Sequence, residues 1–145
     1  MKNAAAPAFL RMMDANANRA MEGLRVCEDI CRFAFDSSGH YRHLRKLRHN
    51  VALAVSRLPV ARKRLLASRA SASDVGRKAS PSRIRSAEEM LLINFQRVKE
   101  SLRVLEECSR LVSLKQAKHF QQLRFMAYEC ERDCLLSLET VRHHR

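Results

Sequence analysis

One block of this chain occurs twice, and that duplication constrains the fold more than any other feature. Asn16-x-Asn18-Arg19-x-x-Glu22-x-Leu24-Arg25-Val26-x-Glu28-Asp29-x-x-Arg32 returns as Asn94-x-Gln96-Arg97-x-x-Glu100-x-Leu102-Arg103-Val104-x-Glu106-Glu107-x-x-Arg110, 78 positions on (94 − 16). Eight of the seventeen paired positions are identical, where chance gives about one, so the chain carries an internal repeat. Mostly polar residues were copied. Asn, Arg and Glu at fixed offsets point to two copies of a charged surface aimed at one ligand or at each other.

The apolar residues between them recur every three or four positions, the spacing of one helix face. Leu10, Met13, Ala17, Ala20, Leu24, Cys27, Cys31 and Ala34 predict a helix over about 7–36, ended by Ser37-Ser38-Gly39. Leu44, Leu47, Val51, Ala54 and Leu58 predict a second helix, stopped near Pro59. The capping-box pattern Ser86-x-x-Glu89 opens a third, with Leu91, Phe95, Val98, Leu102, Leu105 and Val112 inward. Ser113-x-x-Gln116 opens a fourth, with Phe120, Leu123, Ala127, Cys130, Cys134, Leu138 and Val141 inward. The partner helices echo one another, since Leu44-Arg45-Lys46-Leu47-Arg48 resembles Phe120-Gln121-Gln122-Leu123-Arg124. The expected fold is all-α: a four-helix bundle of two duplicated hairpins with pseudo-twofold symmetry. It forms a single helical domain over 1–145, with hairpins at about 7–58 and 86–142. Between them, about 59–85 is a basic connection with Asp74 as its lone acid and a short helix expected over Val60–Ser68. It reads either as a solvated linker or as a phosphate-binding loop fixed by Ser73-Asp74-Val75-Gly76.

A net charge of +13, carried mostly by Arg, calls for an anionic partner. The Arg fork suits phosphate oxygens held in fixed geometry. The N-terminal Met1-Lys2-Asn3-Ala-Ala-Ala-Pro7 lacks a signal peptide's long apolar run, and no stretch of about 18 apolar residues occurs, so the expected place is the cytoplasm without a membrane. Aromatics are too few for a nucleic-acid stacking platform. Cys27/Cys31 and Cys130/Cys134 are helically spaced pairs that suit either a zinc site or, far more commonly, buried packing.

Glycine-rich phosphate cradles are missing, so phosphates would have to be held by Arg side chains. On the helical wheel Asn16, Arg19, Gly23 and Val26 run beside the buried stripe, as do Asn94, Arg97, Ser101 and Val104. Glu22 and Glu100 sit three residues past Arg19 and Arg97, within reach to hold them. Gly23 marks a close approach by a ligand or a neighbouring helix. A di-metal carboxylate site would need Glu-x-x-His, but Arg25 and Arg103 follow the glutamates at that offset. The six histidines offer no His-x-x-x-His pair, and His143-His144 belong to the chain's tail.

The stretch Asp14-Ala-Asn16-Ala-Asn18-Arg19-Ala-Met-Glu22-Gly23-Leu24-Arg25-Val26-Cys-Glu28-Asp29, with Arg32-Phe33-Ala34, resembles the helical hydroxymethylpyrimidine phosphate kinase domain. That domain stands alone or precedes thiamine-phosphate synthase. Leu47-Arg48-His49, Asp74-Val75-Gly76, Asn94-x-x-Arg97-x-x-Glu100 and Leu123-Arg124-Phe125 are similar to its later motifs, in order. Ser101, Asn50 and Cys108-Ser109 depart from the pattern. The resemblance implies a kinase that uses ATP and Mg²⁺ to convert 4-amino-5-hydroxymethyl-2-methylpyrimidine phosphate to its pyrophosphate. The alternative is a non-catalytic phosphate-ligand domain serving thiamine-phosphate synthase. On the kinase reading, Arg19, Arg97, Arg48 and Arg124 bind phosphates, with Arg25 and Arg103 beside them. Glu22 and Glu100 orient arginines or hold Mg²⁺ through water, Asn16 and Asn94 bond the pyrimidine or phosphate edges, and Asp74 positions Mg²⁺ or caps its own turn. The wide helical faces also suit a homodimer.

Overall fold

The computed structural model describes residues 6–143, with side chains described through 138. The expectations for the N-terminal Met1–Asn3, for Val141 and for His143-His144 lie outside the described side chains. Five helices form and no strand occurs among the described residues: α1 (Pro7–Asp29), α2 (Ser38–Ser56), α3 (Arg62–Ala67), α4 (Ala87–Ser109) and α5 (Leu114–His143). Pro7 opens α1, where its missing N–H costs nothing. Ser86 starts α4 as predicted, its Oγ accepting the Glu89 N–H at 3.0 Å while Glu89 Oε2 accepts the Arg85 N–H at 2.7 Å. Ser113 Oγ accepts the Gln116 N–H at the head of α5.

Each long helix packs on two others: α1 on α2 and α4, and α5 on α4 and α2. Their apolar stripes meet in one core containing Met13, Leu24, Leu44, Leu47, Phe95, Leu102, Phe120 and Leu123, all essentially sealed from water. Ala34 is exposed rather than inward, because α1 does not run as an α-helix to 36. After Asp29 it widens into a π-helical turn, Ile30–Ala34, and Asp36 then takes a left-handed backbone with φ of 50°. Asp tolerates that conformation better than most residues. The reversal therefore lies at Phe35–Ser37, and Ser38 and Gly39 belong to the first turn of α2.

Gly23 owes its identity to helix packing. A Cβ there would stand 2.9 Å from Val98 Cγ2 and 3.2 Å from the Asn94 carbonyl oxygen, so α1 and α4 meet closely at this point. No described helix is long and apolar enough to cross a membrane.

Candidate functional site

On α1, Arg11, Ala15, Asn18 and Glu22 repeat every three or four residues opposite the buried Met13, Ala20 and Leu24, so they form its outward face. The connection after α3 folds back over this face. A cleft of about 610 Å³ results, with Arg11, Asn16, Arg19 and Glu22 on the α1 side and Arg69 to Ser71 and Asp74 on the other.

The loop is fastened by a two-pronged pair. Arg69 donates from Nε to Asp14 Oδ2 at 2.6 Å and from Nη2 to Oδ1 at 3.0 Å. This carboxylate raises the guanidinium's pKa. Beyond it, Arg77 Nη1 donates to the Ser71 carbonyl and Asp74 Oδ1 accepts the Gly76 N–H at 2.7 Å. Asp74 is therefore a turn-capping carboxylate and also lines the cleft. Among the described residues Arg11, Arg19 and Glu22 have no ion-pair partner, leaving two cations and a carboxylate available to a ligand. The expected hold of Glu22 on Arg19 is not formed. Arg preceding an acid on a helix is the weaker orientation for such a pair.

Both duplicated asparagines make the same bond. Asn16 Nδ2 donates to the Met12 carbonyl and Asn94 Nδ2 to the Met90 carbonyl, each at 2.8 Å. The two repeat faces nevertheless line separate depressions. Arg97 lies with Ile93, Gln96 and Lys99 in an open hollow of about 450 Å³. Glu100 accepts from Gln96 Nε2 at 2.9 Å and is not bonded to Arg97. Arg25 makes a surface pair with Asp29 at 3.7 Å, and Arg103 pairs with Glu106 and Glu107 at 3.3 and 3.5 Å.

Arg48 and Arg124 point into the protein. Arg48 donates to both oxygens of Glu28, whose side chain is fully buried. Arg124 Nη2 donates to Glu106 at 3.3 Å, and its own Nε is buried with no partner. Glu28 raises the Arg48 pKa, although burial opposes the shift. Sequence reasoning missed the structural place of Glu28 and Glu106. Their signal was present: each is an acid one turn past a buried leucine, Leu24 or Leu102, and both were kept in the duplication. Arg69 had no such signal, because its partner is 55 residues away.

The thiols pack with these elements. Cys31 Sγ lies 4.0 Å from Cys134 Sγ and Cys27 donates weakly to the Leu91 carbonyl. The hydrogen bond between Cys31 and Cys134 lowers the Cys31 pKa and raises that of Cys134, while burial raises Cys27. No cluster of three or more His, Cys, Asp or Glu side chains able to hold a metal forms among the described residues.

The ThiD2 family profile matches residues 11–133. A thiamine-phosphate synthase from Nostoc sp. (strain PCC 7120) is 36% identical over 124 residues, covering 83% of this chain and 34% of that protein. The Synechocystis sp. thiamine-phosphate synthase is 35% identical over 134 residues, covering 90% and 37%. That of Rhodopirellula baltica is 32% identical over 141 residues, covering 95% and 37%. The chain thus spans little more than a third of the length of these relatives. No solved structure matches it significantly. A profile that takes in both repeats, the connection between them and two thirds of α5 makes this chain a member of the ThiD2 family.

Proposed function

We propose that this chain is an ATP-dependent kinase of thiamine biosynthesis, converting 4-amino-5-hydroxymethyl-2-methylpyrimidine phosphate to the pyrophosphate consumed by thiamine-phosphate synthase. The names of its relatives support that pathway, and the cleft on α1 carries the chemical reading. We read its four long helices as a bundle of two related hairpins whose first half holds the site.

A phosphate oxygen of the substrate forms a bond to the ATP γ-phosphorus while the bond from that phosphorus to the bridging β–γ oxygen breaks, releasing ADP. The nucleophile is already anionic near neutral pH, since the second phosphate pKa is about 6. No side chain need remove a proton, which suits a cleft lined by Arg, Asn and carboxylates without a histidine. What the site must supply is charge neutralisation between two anions and alignment of the transfer. Arg19 and Arg11 provide uncommitted guanidinium groups for phosphate oxygens, and Asn16 offers an amide at the cleft wall. Glu22 and Asp74 fit Mg²⁺, which typically takes one or two carboxylates besides water and phosphate. When bound, the ion would neutralise phosphate charge.

A coupled ADP-release assay with the pyrimidine monophosphate tests this. Arg19→Ala should lower kcat/KM by about a hundredfold or more, whereas Arg97→Ala, outside the cleft, should stay close to the parent. Equal losses from both variants would put the chemistry elsewhere. The chain's match to about a third of the synthases favours a second reading, a non-catalytic domain that hands a phosphorylated pyrimidine to its partner. Saturable binding without ADP release would select it.

A further inference from the structure

Behind the polar cleft lies a second cavity of about 430 Å³, walled by Ala17 and Met21 of α1, Ala52 and Val55 of α2, and Leu65 and Leu66 of α3. We propose that this apolar compartment receives the flat heterocycle of an aminopyrimidine whose phosphate lies in the polar cleft. The assignment rests on the phosphorylated-pyrimidine reading of that cleft and adds where the ring goes.

Three observations carry it. First, the two cavities share a wall: Asp14, Asn18 and Arg69 line both. A small ligand with one anionic end and one apolar end is what such a pair accommodates. Second, the cavity has the usual make-up of a small-molecule site, mostly aliphatic walls with a few polar groups, here Asp14, Asn18, Ser56, Arg62 and Arg69. Met21 offers a polarisable thioether to a ring face. Asp14 and Asn18 at the shared edge can accept from an exocyclic amino group. Asp14 is bonded to Arg69, and Arg69 is half-exposed, so the guanidinium can turn from Asp14 toward an incoming phosphate without stranding in the interior. Third, the second repeat lacks this equipment. The positions matching Asp14 and Asn18 are Leu92 and Gln96, and the hollow there meets no counterpart of α3 or Arg69. The compartment belongs to the half of the molecule that also holds the cleft.

The experiment measures binding by calorimetry with two probes, the unphosphorylated alcohol 4-amino-5-hydroxymethyl-2-methylpyrimidine and inorganic pyrophosphate. Ala52→Phe adds a ring into the apolar cavity from an exposed α2 position, and Leu66→Trp does so from the exposed side of α3. Each should weaken the alcohol at least about tenfold, the scale on which a filled pocket discriminates, and leave pyrophosphate affinity unchanged. Thermal unfolding confirms that the variants fold. Parental affinity for the alcohol in both variants, or no binding of the alcohol by the parent protein, overturns the compartment. Equal loss of both probes in a folded variant also overturns it. The kinase reading is judged apart from this, by ADP release: selective loss of the alcohol in a protein that never releases ADP keeps the compartment and rejects the kinase.

Discussion

Replacing Arg48 with Met should destabilise the protein far more than removal of a typical surface arginine. The reason is the site of its partner. Glu28 is 0% exposed and receives two hydrogen bonds from Arg48, so the substitution strands a carboxylate among core side chains. Breaking a buried pair from one side costs about 3–5 kcal/mol. The Arg48 side chain retains 22% exposure, so water screens part of the pair and the lower end, about 3 kcal/mol, is expected. At about 2–4 °C per kcal/mol for a chain of this size, the melting midpoint should fall by roughly 10 °C. Urea unfolding followed by far-UV circular dichroism gives the free energy directly, provided the m-value is unchanged. The double variant Glu28→Leu/Arg48→Met removes both charges together and should recover most of the loss. A single-variant loss below about 1 kcal/mol, the range of surface ion pairs, would refute the reasoning. So would a double variant no more stable than the single. The folded double variant also separates two roles: if Arg48 reaches substrate phosphate as well as Glu28, it will be stable and inactive.

Asp74→Asn keeps an acceptor for the Gly76 N–H but loses the charge, so the loop should fold, and on the proposed kinase reading the KM for Mg·ATP should rise about tenfold or more in steady-state ADP release. Gly23→Ala gains about 1 kcal/mol of helix propensity, yet its Cβ meets stiff Val98 and the Asn94 backbone. The overpacking costs about 1–3 kcal/mol, so a net loss of stability in urea is expected. Burial raises the Cys130 thiol from its ordinary 9.0 to about 11, and also raises Cys27. A folded-state pKa above the unfolded one contributes stability that is present below about pH 9 and lost as pH rises through about 11. Melting midpoints between about pH 7 and 11 should therefore fall more steeply for the parent than for Cys27→Ala/Cys130→Ala.

The helices were legible because their signal is local. Leu10 through Cys31 and Leu91 through Leu105 each repeat at helical spacing, and Ser86-x-x-Glu89 marks a start within four residues. The π-turn after Asp29 was not legible, since Phe33 and Ala34 continue the composition of a helix while the backbone bends to release α2. Arg19, Glu22, Asn16 and Asp74 were chosen from the sequence and do line one cleft. Arg11, Asp14 and Arg69 complete it and went unread, because their proximity depends on where a basic connection lands. Arg48 and Arg124 show the opposite difficulty. An arginine's sequence environment reveals its charge, whereas the acids that hold Arg48 and Arg124, Glu28 and Glu106, were marked only by their place one turn past Leu24 and Leu102.

The duplication also separates what holds this protein together from what equips its cleft. Several structural bonds occur in both copies of the repeated block: Glu28 with Arg48 matches Glu106 with Arg124, and Asn16 on the Met12 carbonyl matches Asn94 on the Met90 carbonyl. The features that close the cleft over the repeated Asn16, Arg19 and Glu22 occur once. The positions of Asp14 and Asn18 hold Leu92 and Gln96 in the second copy, and the helices packed on α1 and α4 differ in how they end. α2 stops at Ser56, freeing the chain to make α3 and return over α1, whereas α5 runs on to His143. Among the described residues α5 does not turn back over the outer face of α4, and the hollow at Arg97 stays open. The asymmetry of the site thus follows from a difference in helix length, 19 residues against 30, rather than from loss of the repeated arginines.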